Sequence, residues 1–156
     1  MSSTRIEFHI HAPRSVVYRA LLDPDALVKW RVPGGMTSRL LAFDPREGGS
    51  FRISMSYDAS TGTGKTTAHT DTYHGRFVKL VPDVQVVEVD EFETDDPALK
   101  GEMTITITLE DDEHCTRLLA LHEGLPPGLS PADNETGWRM ALDKLAALVE
   151  TKGPKR

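Results

Sequence analysis

The amino-acid sequence predicts an α+β fold in which a curved antiparallel sheet closes over a C-terminal helix. Three observations predict it: a strand and two short helices open the chain, a long run of alternating strands follows, and one amphipathic helix ends it. Helices grouped on one face of an antiparallel sheet are the usual way in which such an order packs. A pocket between sheet and helix is a common place for small apolar ligands.

The N-terminal elements follow from one alternation and two proline signals. Apolar and polar residues alternate with period two over 5–11, which predicts a half-buried strand. Pro13 opens one short helix and Pro24 a second, because the missing N–H of proline is no loss in the first turn. Asp23 is the expected N-cap of the second helix, which ends near Trp30.

Six further strands are expected before the last helix. They span residues 39–44, 51–57, 66–80, 84–92, 103–109 and 115–123. The clearest is 103–109, where Met, Ile and Leu alternate with Thr. The longest, 66–80, is expected to bulge or bend near Gly75.

The last helix starts at a capping box and is predicted to run from Ser130 to about Glu150. Asp133 stands in the box where Glu is usual. The apolar stripe at helical spacing comprises Trp138, Ala141, Leu142, Leu145, Leu148 and Val149. Gly137 costs this helix roughly 1 kcal/mol relative to Ala, so either it is simply tolerated or the backbone approaches the sheet closely there.

Composition and charge argue against two classes of function. The net charge of -6 over 156 residues argues against a nucleic-acid partner, since phosphate binding needs clustered Lys and Arg. No apolar run approaches the roughly 20 residues that span a bilayer, and residues 1–7 lack the apolar stretch of a secretory signal. Cys115 is the single cysteine, so a reducing cytoplasm is expected. Residues 4–150 are expected to form one domain, with 1–3 and 151–156 as flexible termini.

A set of short motifs then occurs in a familiar order. They are Trp30 with Pro33-Gly34, Gly48-Gly49-Ser50-Phe51, His74-Gly75-Arg76-Phe77, Leu80-Val81-Pro82, Thr116-Arg117-Leu118, His122-Glu123-Gly124-Leu125, and Gly137-Trp138 with Leu142 and Leu145. Together they resemble the bacterial homologues of the C-terminal domain of the heat-shock-protein ATPase activator (AHSA-like), within the START-like or Bet-v-like (SRPBCC) superfamily. The resemblance spans nearly the whole chain, from Thr4 to Glu150.

The resemblance implies a helix-grip fold: a seven-stranded antiparallel sheet wrapped around a long C-terminal helix, with two short helices after the first strand. It does not imply one activity, because similar proteins include lipid carriers, hormone receptors, polyketide cyclases and co-chaperone domains. The chain departs from the family pattern in a longer polar hairpin, from Ala59 to Asp71. Because this hairpin could alter the rim of the pocket, the ligand class does not carry over from the family.

The sharpest local motif lies in that hairpin. Residues 59–66 read Ala-Ser-Thr-Gly-Thr-Gly-Lys-Thr, a relaxed phosphate-binding loop with Ala in the first Gly position. Such a loop needs a helix after it, so that free N–H groups and the helix dipole meet the phosphates. Here the polar and β-branched residues 66–72 run on into a strand. A flexible hairpin tip is therefore the preferred interpretation.

The six histidines invite a metal hypothesis, which the spacing does not support. His9 and His11 stand two apart on one strand face, and His69 and Asp71 do likewise on another. Zinc needs three or four such groups at one point, and nothing in the spacing brings them together. No metal and no other cofactor is therefore expected.

Other reactive side chains are also interpreted as structural. One run of carboxylates is expected to be a solvated edge rather than a catalytic site: Asp90, Glu91, Glu93, Asp95 and Asp96. Cys115 has no recognisable activating sequence, and the neighbouring His114 points to the opposite face of the strand. No catalytic residue is assigned, and a protein that is not an enzyme is the preferred interpretation.

His122 is the most informative polar residue. The family pattern favours Leu118, Ala120 and His122 on the face toward the cavity, where a buried imidazole needs hydrogen-bond partners. It is either a satisfied structural histidine or a group that orients a polar part of the ligand or donates a proton. The same choice leaves Leu119 and Leu121 on the outer face, where an apolar pair raises the hypothesis of a homodimer through the sheet.

The sequence thus predicts a protein that binds a small, largely hydrophobic molecule between the sheet and the C-terminal helix. The residues expected near the ligand are Trp30, Phe51, Met55, Tyr73, Phe77, His122, Trp138 and Leu142. Two alternatives stay open: a co-chaperone-like domain that binds a chaperone partner through its surface, and a polyketide cyclase-like enzyme. A filled cavity of roughly several hundred Å³ favours the ligand, and a collapsed interior with a large exposed apolar patch favours the partner. A cavity that holds His122 beside a second titratable group with a shifted pKa favours the enzyme.

Overall fold

Seven strands and three helices make up the part of the chain that the computed structural model describes, residues 2–32, 36–57 and 70–150. Their order is β1 (Ser2–Ile10), α1 (Arg14–Leu22), α2 (Pro24–Trp30), β2 (Met36–Phe43), β3 (Ser50–Tyr57), β4 (Thr70–Val81), β5 (Gln85–Phe92), β6 (Met103–Asp112), β7 (Cys115–Leu125) and α3 (Pro131–Glu150). The predicted α+β class, with two short helices after the first strand and a long helix at the end, is confirmed.

The strands form one antiparallel sheet in the order β1-β7-β6-β5-β4-β3-β2. Strands β2 to β6 each pair with the next strand in sequence, and β1 pairs with β7, placing Ile6 opposite Ala120. Burial alternates residue by residue along β5, β6 and the first part of β7. The sheet therefore has one inner face and one outer face.

The core lies between the inner face of the sheet and α3. Ala141, Leu142, Leu145 and Val149 of α3 are buried. They belong to the same apolar cluster as the inner side chains of β1, β6 and β7. Trp138 and Leu148, the other members of the predicted stripe, are half-buried against that cluster. This packing of sheet on terminal helix is the helix-grip arrangement, as predicted.

Capping residues start two of the helices where the sequence indicates. The Asp23 side chain accepts a hydrogen bond from the backbone N–H of Asp25 at 3.0 Å at the start of α2. The Ser130 hydroxyl accepts one from the backbone N–H of Asp133 at 3.3 Å at the start of α3. Helix α1 begins one residue later than expected, because Pro13 takes the N-cap position rather than the first helical one.

Strand β4 has an irregularity near Gly75 as expected, although not at Gly75 itself. Gly75 pairs in register with both neighbouring strands, and the irregularity of β4 lies between Phe77 and Lys79. Gly75 serves close packing instead. A Cβ atom there would lie 2.5 Å from Cζ of Phe51 and 2.7 Å from Oδ1 of Asp90, so only glycine leaves room for both side chains.

The predicted flexible segments have different outcomes. Ser2 and Ser3, assigned above to a terminus, belong to β1 and pair with Leu125 and Glu123, because β7 is long enough to continue the ladder. Residues 58–69 lie outside the described residues, and with them the phosphate-loop motif. The predicted flexible segment 151–156 also lies outside them. The last two residues of the predicted polar hairpin, Thr70 and Asp71, lie in β4.

Candidate functional site

A cavity of about 250 Å³ lies between the sheet, α3 and the end of α2. Most of its wall is apolar and consists of Met55, Phe92, Met103, Ile105, Leu129 and Ala141, with the rings of Tyr73 and Trp138. Its polar lining residues include Arg31, Asp90, Asp133 and Asn134. The volume lies near the lower limit for small-molecule sites, roughly 300 Å³.

The eight sequence-predicted site residues divide into two groups. Three of them line the cavity: Met55, Tyr73 and Trp138. The other five are buried in the surrounding core: Trp30, Phe51, Phe77, His122 and Leu142. Trp30 is fixed there, since its indole N–H donates to the carbonyl of Ala20 at 3.0 Å. Contact between a ligand and any of these residues stays a prediction.

A buried ion cluster meets the cavity at its polar end. Glu88 and Asp90 stand two apart on β5 and so share its inner face. Arg31 follows α2 and donates from Nη1 to Oε1 of Glu88 at 3.0 Å, from Nη2 to Oε2 of Glu88, and from Nη2 to Oδ2 of Asp90 at 2.9 Å. Arg31, Glu88 and Asp90 are 6%, 1% and 2% exposed. These three residues are called the Arg31 cluster below.

Three aromatic rings surround the guanidinium of Arg31. Its Cζ lies 5.5 Å from the ring centroid of Phe51, 5.5 Å from that of Tyr73 and 5.2 Å from that of Trp138. The faces of aromatic rings attract cations, and a planar guanidinium can use them while its edge bonds carboxylates. Ring and carboxylate contacts therefore fix Arg31 on two sides.

One cation faces two carboxyl groups in the Arg31 cluster, and the two acids respond differently. Burial and the negative charge of Glu88 raise the pKa of Asp90 well above its ordinary value. Burial also acts against the ionised form of Glu88, but the charge and hydrogen bonds of Arg31 outweigh it and lower the pKa of Glu88. With a proton on Asp90 the cluster is neutral, which is the least costly state for a buried group.

His122 lies close to this cluster and is uncharged at neutral pH. Burial lowers the pKa of His122 to about 4; the charge of Glu88 opposes this shift and that of Arg31 adds to it. Nδ2 of Asn134 lies 2.7 Å from Nδ1 of His122. Since an amide N–H donates, Nδ1 accepts and the ring proton is on Nε2. The ring of Trp138 meets the imidazole edge-on, with centroids 4.7 Å apart.

Three buried polar atoms have no hydrogen-bond partner among the described residues: Arg31 Nε, Asp90 Oδ1 and His122 Nε2. Arg31 and Asp90 line the cavity, and His122 contacts Asn134 and Trp138, which also line it. A buried polar atom left without a partner costs roughly 1–3 kcal/mol, so native structures rarely contain one without a reason. The polar end of the cavity is therefore equipped to bond a polar group.

The position of Asp90 corrects the expectation that the acidic run is a solvated edge. Asp90 is buried, because it faces the core from the inner side of β5. The rest of the run is half-buried or exposed: Glu91, Glu93, Asp95 and Asp96. The expectation is therefore wrong for the one acid that borders the cavity.

Sequence reasoning also missed the other two members of the cluster, Arg31 and Glu88. One signal existed, because Val86 and Phe92 share the strand parity of Glu88 and Asp90 and mark that face as inner. The opposite parity also carries two valines, so alternation alone does not decide between the faces. A carboxylate pair on an inner face requires a cation, and Arg31 directly follows the buried Trp30.

The other reactive side chains form exposed pairs rather than a centre. Nε2 of His9 lies 3.3 Å from Oδ2 of Asp112, and Nδ1 of His11 lies 3.3 Å from Sγ of Cys115. Cys115 thus meets His11, which directly follows β1, and not its neighbour in sequence, His114. No group of three potential metal ligands occurs within residues 2–32, 36–57 and 70–150. None of the helices in these ranges has the length and apolar character needed to cross a membrane.

The sequence profile of the activator of Hsp90 ATPase homolog 1-like proteins matches residues 11–150. The chain belongs to this family. The resemblance deduced from the short motifs is thereby confirmed, as is the helix-grip fold that it implies. A comparison with curated proteins finds no match.

Solved structures place the fold among bacterial relatives. A protein from Chromobacterium violaceum is 36% identical, with 95% of this chain and 96% of that chain covered and a TM-score of 0.86. The AHSA1 protein from Silicibacter pomeroyi is 19% identical, with 97% and 99% covered and a TM-score of 0.79. A protein from Arthrobacter aurescens is 18% identical, with 97% and 87% covered and a TM-score of 0.80. The last two show likeness of fold alone.

Proposed function

We propose that the protein binds a small, largely hydrophobic molecule in the cavity between the sheet and α3. The observation that carries the proposal is the cavity itself, about 250 Å³ in volume and mostly apolar in its walls. A domain that acts only through its surface has no need of such a space. The single Cys115 supports a reducing, cytoplasmic setting as part of the same proposal.

Apolar contact supplies most of the affinity in this proposal. Each Å² of apolar area removed from water contributes about 25 cal/mol before the costs of ordering are subtracted. Met55 and Met103 lie in the wall, and their unbranched side chains adapt to ligands of different shape. The polar end of the cavity then orients whichever molecule enters.

An enzyme is the second candidate, because one observation favours it. The neutral imidazole of His122 lies near the Arg31 cluster, whose Asp90 has a raised pKa. Two titratable groups with displaced pKa values beside a cavity are typical of sites that transfer protons. A polyketide cyclase-like activity is consistent with that arrangement.

The two surface-based hypotheses have weaker support. A chaperone partner rests on the family description, and the exposed large apolar residues lie apart in the fold, on β2, β4, the turn before β5 and α3: Leu41, Val78, Val84 and Met140. A homodimer through the sheet rests on Leu119 and Leu121, which are half-buried on the outer face. Sedimentation as a monomer at high protein concentration would contradict the homodimer hypothesis.

Filling the cavity tests the binding proposal. Ala141 lines the cavity, and Ala141→Leu places three more carbon atoms in it. Ala146, on the same helix, is half-buried but does not line the cavity, so Ala146→Leu is the matched control. We expect at least about tenfold weaker binding in Ala141→Leu and unchanged binding in Ala146→Leu.

Native mass spectrometry of the purified protein and melting curves across a compound library provide the measurements. A retained small molecule, or a compound that raises the melting temperature of the wild type and not of Ala141→Leu, supports the proposal. A chain without bound mass and with no stabilising compound would contradict it. Equal binding by both alanine variants would place the ligand elsewhere.

A further inference from the structure

The polar end of the cavity carries more acid than base. Among its described lining residues Arg31 is the only cation, and it faces the carboxyl groups of both Glu88 and Asp90. Asp133, in the first turn of α3, adds another carboxylate to the lining. His122 is neutral and adds no positive charge. An anionic group that entered here would meet more repulsion than attraction.

The guanidinium of Arg31 has few free N–H groups with which to bind an anion. Both of its terminal nitrogens already donate to Glu88 or Asp90. Only Nε lacks a partner within the part of the chain that the structure describes. Carboxylates and phosphates are bound most strongly by a guanidinium that presents two free N–H groups side by side. Hydrogen-bond geometry therefore disfavours an acid for the same reason as charge does.

Asp90 offers a contact of the opposite kind. Its Oδ2 accepts from Arg31, whereas its Oδ1 has no partner among the described residues, although the side chain is 2% exposed and lines the cavity. The rings of Tyr73 and Trp138 line the same cavity. Aromatic faces and a buried carboxylate together are what a cation with an apolar body requires.

We propose that the ligand is an apolar molecule with one basic nitrogen, an amine or an amidine, whose N–H bonds Oδ1 of Asp90. This inference rests on the proposed function, because it requires a ligand in the cavity, and it adds the charge of that ligand. The apolar body occupies the space between Met55, Met103 and Ala141. The nitrogen completes the hydrogen bonding that Arg31 leaves open on Asp90.

Binding of such a cation releases a proton. The groups around Asp90 are Glu88 on the same strand, Arg31 after α2, Tyr73 on β4, His122 on β7 and Asp133 on α3. Without ligand, Arg31 balances Glu88, and burial with the charge of Glu88 raises the pKa of Asp90, which favours its protonated form. When the ligand cation arrives, Asp90 ionises and its proton passes to solvent. Two cations then balance two carboxylates, and about one proton is released for each ligand bound.

Three probes with a shared phenyl body and different charges test the inference. These are 2-phenylethylamine, 2-phenylethanol and 3-phenylpropanoate, titrated calorimetrically into the wild-type protein at pH 7 in phosphate and in Tris, whose ionisation enthalpies differ. We expect the amine to bind at least about tenfold more tightly than the other two. We also expect about one proton to be released with the amine and none with the alcohol.

Two variants test whether Asp90 is the residue responsible for the tighter binding of the amine. Asp90→Asn keeps the size of the side chain and an oxygen for Arg31, and it should abolish both the preference and the proton release. Glu91→Gln removes a charge from the next residue, which lies on the other face of β5, and should keep both. The comparison of the three probes uses the wild type alone. It therefore tests whether the cavity prefers a basic nitrogen even if Asp90→Asn does not fold.

The outcomes separate this inference from the proposed function. Equal binding of amine and alcohol overturns the basic nitrogen and leaves the hydrophobic ligand standing. A preference that survives in Asp90→Asn, or that is lost in Asp133→Asn alone, also overturns it, because the cation then lies away from Asp90. Failure of the amine to bind overturns the basic nitrogen as well, whereas the hydrophobic ligand is decided separately by native mass spectrometry and the compound library.

Discussion

An arginine bridges two carboxylates in two regions of this molecule, once inside and once outside. The Arg31 cluster lies beneath α3 on the inner face of the sheet. On the outer face, Arg117 of β7 donates to Glu7 of β1 at 2.7 Å and to Glu110 of β6 at 2.8 Å. These last three residues form the Arg117 cluster. The two clusters have the same types of charge and differ in their access to water.

Solvent exposure gives the two clusters different properties. In the Arg117 cluster the hydrogen bond from Arg117 lowers the pKa of Glu7, and water screens the charges. In the Arg31 cluster, burial and the charge of Glu88 raise the pKa of Asp90, which favours the protonated form of that acid. The same set of side chains is thus a surface brace in one place and a proton-holding site in the other. Burial decides which, and residue type does not.

Replacing Arg31 and Arg117 in separate variants should give the largest difference in stability. Arg31→Met keeps an apolar side chain among the aromatic rings but leaves two buried acids without a cation. We expect a loss of roughly 3–5 kcal/mol in the free energy of unfolding at pH 7, measured by urea denaturation. Arg117→Met is the matched control and should change it little, because its partners are solvated.

The pH dependence of the stability lost in each arginine variant identifies the cause of that loss. Arg31 lowers the pKa of Glu88, so their pairing stabilises the fold at neutral pH and this contribution is lost as the pH falls. The difference in free energy of unfolding between Arg31→Met and wild type should therefore narrow. The difference between Arg117→Met and wild type should stay small at every pH. Equal losses in the two variants, or an Arg31→Met deficit independent of pH, would contradict the assignment of a buried charge imbalance.

His122 provides a second and smaller effect. Its pKa is about 4 in the folded chain against an ordinary value of 6.5, so the unfolded chain binds more protons between these pH values. Stability should therefore fall as the pH drops from about 6.5 to about 4, by about 3 kcal/mol from this residue. His122→Asn retains a polar group beside Asn134 and should flatten this part of the curve.

Two results would contradict this interpretation of His122. If the wild-type curve has no slope in this window, or His122→Asn retains the full slope, then His122 is not the buried neutral group described here. Nuclear magnetic resonance titration of the imidazole measures the same quantity directly.

Local signals were enough to predict most of the fold. The alternation at 103–109, the cap at Asp23 and the cap at Ser130 depend on residues close together in sequence, and all three occur as predicted. The resemblance that the short motifs carry then implied seven antiparallel strands wrapped around the last helix, whereas the order of the strands in the sheet comes from the structure. The site of the irregularity in β4 was predicted less accurately than the elements themselves. The role of Gly75 depends on side chains from other strands, which a local pattern does not show.

The polar end of the cavity was beyond local reasoning for two reasons. Arg31 and Glu88 are 57 residues apart, so only the folded sheet brings them together. Strand β5 also carries apolar residues on both faces, and its alternation cannot show that Glu88 and Asp90 point inward. Aromatic residues were easier to find, because large apolar side chains are core residues by default.

Gly75→Ala should have a smaller effect than Arg31→Met, and it tests how tightly the inner cluster is packed. The added methyl would meet Cζ of Phe51 at 2.5 Å, the carbonyl of Val89 at 2.6 Å and Oδ1 of Asp90 at 2.7 Å, so strands and side chains must shift. We expect a loss of roughly 1–3 kcal/mol in the free energy of unfolding. Because Asp90 is among the atoms displaced, the preference for the amine probe should weaken in the same variant.

Gly48→Ala separates this crowding from ordinary backbone strain. Gly48 has a φ of +83° and nothing within 4 Å of an added Cβ, so the change costs about 1 kcal/mol through conformation alone. It should leave amine binding unchanged, since Gly48 does not line the cavity. If Gly75→Ala and Gly48→Ala have the same effect on the free energy of unfolding and on amine binding, the side chains around Asp90 accommodate an added methyl group at little cost. The inner and outer clusters would then differ in hydration alone, without the tight packing that holds Asp90 in place.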